Sequence, residues 1–294
     1  MSANELSIHS YVWIPRWSTE LGRTAVERAA ATGFHRVVVP LTNQEAVDPP
    51  AIARMFEHFG VRPVNTSNQT PDANVSSLDA HTRARGLERH RHSLRLARDM
   101  GSTHVGGMLY GPLGKASQAA SGANLNAAAE SLRTLAAEAK RMGIRLALEI
   151  VNRYESNLIN TVAQALELVR MSGSDNIYLH LDTFHMNIEE DDLLGAIKTA
   201  LPHLVYFELD QNHRGRPDRG AIDLEAMLLK LLAAGYSGII GVEAFSRLVT
   251  GADVAGVIGI WRDMYRDGDE VASSAAALIR RVNAKNHAIQ PGST

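Results

Sequence analysis

Residues 124–150 read Asn124-Leu-Asn-Ala-Ala-Ala-Glu-Ser-Leu-Arg-Thr-Leu-Ala-Ala-Glu-Ala-Lys-Arg-Met142-Gly143-Ile-Arg145-Leu-Ala-Leu-Glu149-Ile150. The first part has helical spacing. Leu125, Leu132, Leu135, Ala136 and Ala139 fall on one face, with Glu130, Arg133, Glu138 and Arg141 on the other. Gly143 supplies the left-handed position that stops a helix, and a short apolar run over Arg145–Ile150 follows, as expected of a buried strand. The same unit recurs along the chain. Strands are expected near Leu6–Tyr11, Arg36–Leu41, Arg62–Thr66, Thr103–Met108, Arg145–Ile150, Ile177–Asp182, Leu204–Leu209 and Ile239–Ala244, and Gly33, Gly101 and Gly235 close helices as Gly143 does.

Eight strand–helix units in about 250 residues is the arithmetic of a (β/α)8 TIM barrel, which carries its active site on the loops at the C-terminal ends of the strands. The competing open, doubly wound sheet lacks support, because neither G-x-G-x-x-G nor a P-loop follows the first strand. The expectation is therefore an α/β protein with one barrel domain over 1–294 and a C-terminal helical extension over about 252–285. Asn65–Asp79 and Tyr110–Asn124, rich in Asn, Ser, Gly and Pro, follow the third and fourth strands and are expected to roof the site. The tail Gln290–Thr294 is expected to fray.

Composition narrows the function. The chain has 294 residues, 45% hydrophobic and 21% charged, as in ordinary globular proteins. Its 30 Lys and Arg against 32 Asp and Glu give a net charge of −2, which offers no global attraction to nucleic acid or an anionic membrane. With no Cys there is no thiolate nucleophile and no Cys-bound metal, so a metal would sit on oxygen or imidazole. The N-terminal residues show no basic-then-apolar leader and no membrane-length apolar run occurs, so a cytoplasmic location is expected.

Four successive late strands each end near an acid with apolar neighbours: Glu149, Asp182, Glu208 and Glu243. Any one of them could be an ion-pair partner or a helix cap. Four ionised carboxylates gathered in apolar surroundings call for a cation or raised pKa values, and oxygen ligands suit Mg²⁺ or Mn²⁺. Nearby polar residues at the same mouth are Glu155, His185 and Arg214. Other signals carry less. Glu88-Arg-His-Arg-His92 reads as a solvated basic helix surface, Asn74-Val-Ser76 as an idle acceptor motif, and Lys115 as a roof-loop cation without a phosphate cradle.

Leu148-Glu-Ile-Val-Asn-Arg-Tyr-Glu155, Leu181-Asp-Thr-Phe-His-Met-Asn-Ile-Glu-Glu190 and Asn212-His-Arg-Gly215, within a stretch running from Ile8 to Asp263, resemble the sugar phosphate isomerase/epimerase superfamily with a xylose isomerase-like barrel, and within it the ketose 3-epimerases acting on tagatose, psicose or ribulose. The resemblance implies metal-binding acids at Glu149, Asp182 and Glu243 and sugar contacts at Glu155, His185 and Arg214. The remaining ligand of the family is a His. Here it is Glu208, and Gln211 replaces a common Glu. An all-carboxylate set favours Mn²⁺ or Mg²⁺, with Co²⁺ a further candidate.

The chemistry so implied is removal of the C3 proton of a metal-bound free ketohexose or ketopentose and its return to the opposite face through an enediolate, by Glu149 and Glu243. Trp13, Tyr110 and Phe245 would shape the wall or merely pack the barrel. The partner would be a small sugar, and the assembly a homodimer or homotetramer. Two alternatives stand beside this reading: a same-barrel lyase acting on 3-keto C-glycosides or 3-oxo sugar acids, kept open by Glu208, and a non-catalytic sugar-binding or scaffold subunit.

Overall fold

Helix formation follows the local sequence closely. In the computed structural model, which describes residues 4–289, Ser121 and Asn124 cap one another reciprocally at the start of the helix over Gly122–Arg141. Leu132, Leu135, Ala136 and Ala139 are buried as the periodicity requires, and burying a Leu is worth roughly 1.5–3 kcal/mol. Gly143 then adopts φ 72°, with Gly33, Gly101 and Gly235 in the same left-handed region.

The strands are β1 (Ser7–His9), β2 (Arg36–Pro40), β3 (Arg62–Thr66), β4 (His104–Gly106), β5 (Arg145–Glu149), β6 (Ile177–Asp182), β7 (Leu204–Leu209) and β8 (Ile239–Val242). The helices are α1 (Thr19–Ala31), α2 (Pro49–Phe59), α3 (Ala80–Asp99), α4 (Gly122–Arg141), α5 (Val162–Ser172), α6 (Thr183–Glu189), α7 (Leu193–Ala200), α8 (Leu224–Ala233), α9 (Ala252–Ile258) and α10 (Gly268–Ile289). The tail Gln290–Thr294 lies outside the described residues.

The eight strands lie parallel in sequence order. A parallel bridge between Leu6 and Ile240 joins the first edge to the last, and the Ile240 N–H donates to the Glu5 carbonyl at 2.9 Å. The expected (β/α)8 TIM barrel is thus observed. Its C-terminal rim is polar on the side of β5 to β8, because each of these four strands ends at or next to an acid. A register irregularity between Leu179 and His180 leaves Asp182 directly opposite Glu208, and His180 opposite Tyr206.

Two long loops rise over that rim. The Gln69 side chain accepts from the Val75 N–H at 2.6 Å and donates to the Met108 carbonyl at 3.2 Å, so it ties the β3 loop to the β4 loop. The β3 loop also leans on α3 at Gly86, where a Cβ would come within 2.7 Å of the Val75 nitrogen. Among the described residues no helix is long and apolar enough to cross a membrane.

Candidate active site

Asp182 ends β6 and also caps α6. Its Oδ1 accepts from the Phe184 N–H at 2.7 Å and the His185 N–H at 3.3 Å, while Oδ2 is buried with no partner. Glu208, opposite it on β7, holds Oε2 against His180 Nε2 at 2.9 Å and leaves Oε1 buried and unpartnered. Glu149 at the end of β5 places Oε1 3.9 Å from His185 Nε2. Glu243, one residue past β8, pairs with Arg214 and lies 3.7 Å from His9 Nε2.

The four predicted acids therefore meet at one mouth, as overlapping groups rather than one tight cage. Asp182, Glu208 and Glu243 present oxygens within 4.8 Å of one another; so do Glu149 and Glu208 with a His180 nitrogen, and Glu149 and Asp182 with a His185 nitrogen. Burial pushes the carboxyl of Glu149 up, and it does the same to Asp182 against the pull of Arg214. Glu208 is raised well above its usual range, first by burial and then by Glu243 and Asp182. Orphaned buried oxygens, like charges in register and a donor set of carboxylate and imidazole fit a hard divalent cation.

His185 is buried, and its Nδ1 accepts from the Asn152 N–H at 3.2 Å and faces the Asn152 amide nitrogen at 2.8 Å. That arrangement assigns the ring proton to Nε2, which has no partner. Burial holds the ring well below its usual pKa, so it stays neutral.

Arg214 occupies an unusual position, with φ 57° although it is not glycine. Its backbone is held by the Arg214 N–H to Gln211 carbonyl bond at 2.7 Å and by the Phe245 N–H to Arg214 carbonyl bond at 2.6 Å. The guanidinium donates to Asp210 at 3.0 Å and Glu155 at 3.2 Å, and lies 4.7 Å from the Phe184 ring centre and 4.8 Å from that of Phe245. The predicted residues Glu155, His185 and Arg214 are thus brought together with the acids. A cavity of about 380 Å³ opens beside them, lined at its base by Glu149, Glu155, Glu208, Arg214, Glu243 and Phe245 and roofed by Asn68, Gln69, Thr70, Pro71 and Leu113, while Asp182 and His185 stand behind this lining.

Sequence reasoning missed His180, His9 and Asp210. The two-residue spacing of His180 from Asp182 was the available signal, since it puts both on the inward face of β6. Of the expected wall aromatics, Phe245 lines the cavity. Trp13 instead donates to Asp269 of α10 at 2.8 Å, and Tyr110 is buried behind the rim, donating to the Glu149 carbonyl at 2.9 Å. His90, expected on a solvated surface, is buried with Nδ1 2.9 Å from the Ser67 hydroxyl, because α3 turns this residue toward the barrel. Lys115 is exposed in its loop.

Comparison with known proteins agrees with this geometry. The Xylose isomerase-like TIM barrel family profile matches residues 15–282. The chain belongs to the xylose isomerase-like TIM barrel family. Within that family it is 36% identical over 275 residues to the L-ribulose 3-epimerase of Mesorhizobium japonicum, covering 93% of this chain and 92% of the relative. It is 29% identical over 284 residues to the D-psicose 3-epimerase of Agrobacterium fabrum, covering 93% and 97%. Among solved structures, an L-ribulose 3-epimerase superposes with a TM-score of 0.93 at 33% identity, covering 98% of this chain and 97% of the other. The D-allulose 3-epimerase of Methylomonas sp. in complex with D-allulose gives a TM-score of 0.92 at 28% identity, covering 96% and 98%. The expectation of an enzyme of the carbohydrate isomerase and epimerase type is borne out by these family relationships.

Proposed function

We propose that the chain is a divalent-metal-dependent ketose 3-epimerase acting on a free ketohexose or ketopentose. The observation that carries this reading is that Asp182 and Glu208 each keep a buried, unpartnered carboxylate oxygen and, with Glu243, bring carboxylate oxygens within 4.8 Å of one another, flanked by Glu149. Glu149, Asp182, Glu208 and Glu243 would hold the ion, with Mn²⁺ or Mg²⁺ the best match and Co²⁺ acceptable. Once bound, such an ion supplies Lewis-acid polarisation of the ketose C2 carbonyl and stabilises the enediolate left when C3 loses its proton.

The protein does the rest. Glu149 and Glu243 reach the cavity from β5 and from the end of β8, so they flank a bound sugar from different sides of the barrel. One removes the C3 proton and the other returns a proton to the opposite face. His185 offers its Nε2–H, and Arg214 its guanidinium, to the sugar oxygens near C1 and C2. Glu155 and Asp210 keep the guanidinium in place, and the two roof loops limit access of water. The reading includes a small sugar as partner, a cytoplasmic setting, and a homodimer or homotetramer that sedimentation would check.

The test is incubation with ketoses in D₂O, with proton NMR following deuterium uptake at C3 and inversion there. Metal-dependent exchange with an intact carbon skeleton is expected. Turnover that survives both exhaustive chelation and Glu243→Gln would reject the proposal, and cleavage of 3-keto glycosides or 3-oxo acids without ketose inversion would install the lyase reading.

A further inference from the structure

We propose that His180 is a positioning residue that fixes the metal-facing oxygen of Glu208, an inference that rests on the metal-dependent reading above. His180 lies two residues before Asp182, so both side chains point into the barrel, with His180 one layer deeper. The register irregularity before it places the ring beside Tyr206, centroid to centroid 4.4 Å, and its Nε2 2.9 Å from Glu208 Oε2. Both side chains are buried: that of His180 is 5% exposed and that of Glu208 3%. Oε2 is thereby occupied from below, and Oε1 remains buried and unpartnered, while a carboxylate oxygen of Glu208 lies within 4.8 Å of oxygens of Asp182 and Glu243. A freely rotating carboxylate could chelate through both oxygens or turn away from its like-charged neighbours. A carboxylate anchored by one N–H presents a single oxygen in one direction. His180 thus acts on the cation through Glu208, and does not touch the ion itself.

Titration calorimetry with Mn²⁺ on the wild-type protein, His180→Leu and His180→Gln tests this. The Leu variant is expected to bind Mn²⁺ about 10- to 100-fold more weakly, the range seen when a ligand's hydrogen-bond partner is lost. The Gln variant, whose amide N–H can donate to the same oxygen, is expected to recover most of that loss. Unchanged affinity in the Leu variant, or equal losses in both, would overturn the inference. A readout on the intact protein guards against misfolded variants. Pulsed electron paramagnetic resonance of the Mn²⁺-loaded wild type should show no directly bound nitrogen contributed by His180, and such a coupling that vanishes in His180→Gln would overturn it too. If the wild type takes up no divalent ion, the epimerase proposal falls with it. If the wild type binds Mn²⁺ and the variants contradict the pattern, only the role of His180 falls.

Discussion

Asp182 and Glu208 stand directly opposite one another in the parallel register of β6 and β7. Like charges in that position destabilise a sheet unless something neutralises them. Burial raises Glu149 from 4.5 to about 8 and Asp182 from 3.8 to about 7. For raised carboxyls the contribution to stability is complete below their unfolded pKa values and is lost as the pH climbs through the folded ones. The metal-free protein should therefore lose stability between about pH 5 and pH 8, and a bound dication should restore it. Burial lowers His9 to about 4 and His90 to about 3, which works the other way on the acid side. His90, bonded to Ser67 away from the acids, acts with and without metal. The difference between melting midpoints in Mn²⁺ and in chelator should then widen from about pH 6 to pH 8. A gap independent of pH would contradict the assignment.

Removing either proposed proton-transfer group should separate exchange from inversion. Glu149→Gln and Glu243→Gln are each expected to lower epimerisation by about 10²–10⁴-fold. The variant that retains the base for a given epimer should still wash deuterium into that epimer without inverting it. Running both epimers against both variants by NMR assigns a face to each acid, and full inversion by either variant would be incompatible with a two-acid mechanism.

Arg214 depends on Asp210, whose carboxylate accepts from Nε at 3.0 Å while its own backbone is held by the Thr183 hydroxyl. Hydrogen bonds to charged groups contribute about 1.5–3 kcal/mol. Asp210→Asn should accordingly raise KM about tenfold or more, since it loosens a sugar contact, and also lower kcat, because the same guanidinium pairs with Glu243. Arg214→Lys should be worse, because an ammonium cannot reproduce the fork that meets Asp210 and Glu155 together.

Gly86 offers a stability test away from the chemistry. In most helices Gly→Ala stabilises by about 1 kcal/mol. Here a Cβ would stand 2.7 Å from the Val75 nitrogen and 2.8 Å from the Asn74 carbonyl carbon, both backbone atoms of the roof loop. Gly86→Ala should therefore destabilise, by about 1–3 kcal/mol, and displace the loop that carries Thr70 and Pro71. Denaturant melts measure the first effect and ketose KM the second; a more stable variant would show that the loop is not pinned there.

Much of this was legible in the amino acids because barrel strands and their caps are local. β3, β6 and β7 have the boundaries their apolar runs predict, whereas β1, β4 and β8 are shorter because their ends turn early into the rim loops. Glu149, Asp182, Glu208 and Glu243 were visible as polar interruptions of apolar runs. His180 was not, since an inward imidazole gains meaning only from Glu208, which is 28 positions away in sequence and bonded across the sheet. Asp210 was hidden for a similar reason: its partnership follows from the left-handed turn at Arg214, a conformation no non-glycine residue announces. Trp13 and Tyr110 lie near the right loops, and only packing decides that they face α10 and the Glu149 backbone instead of the sugar.

Among the described residues the hoop of staves is fastened at a single rung, Leu6 to Ile240, reinforced by Asn4 reaching the carbonyls of Tyr236 and Gly238. Three residues beyond that rung, in the same direction on both strands, come His9 and Glu243, so the fastening sits beneath one of the two proposed proton carriers. Deleting Asn4–Leu6 would remove that rung and the Asn4 bonds while the other strand pairs keep theirs. Asn4 and Leu6 thus clasp the reaction vessel from below its rim.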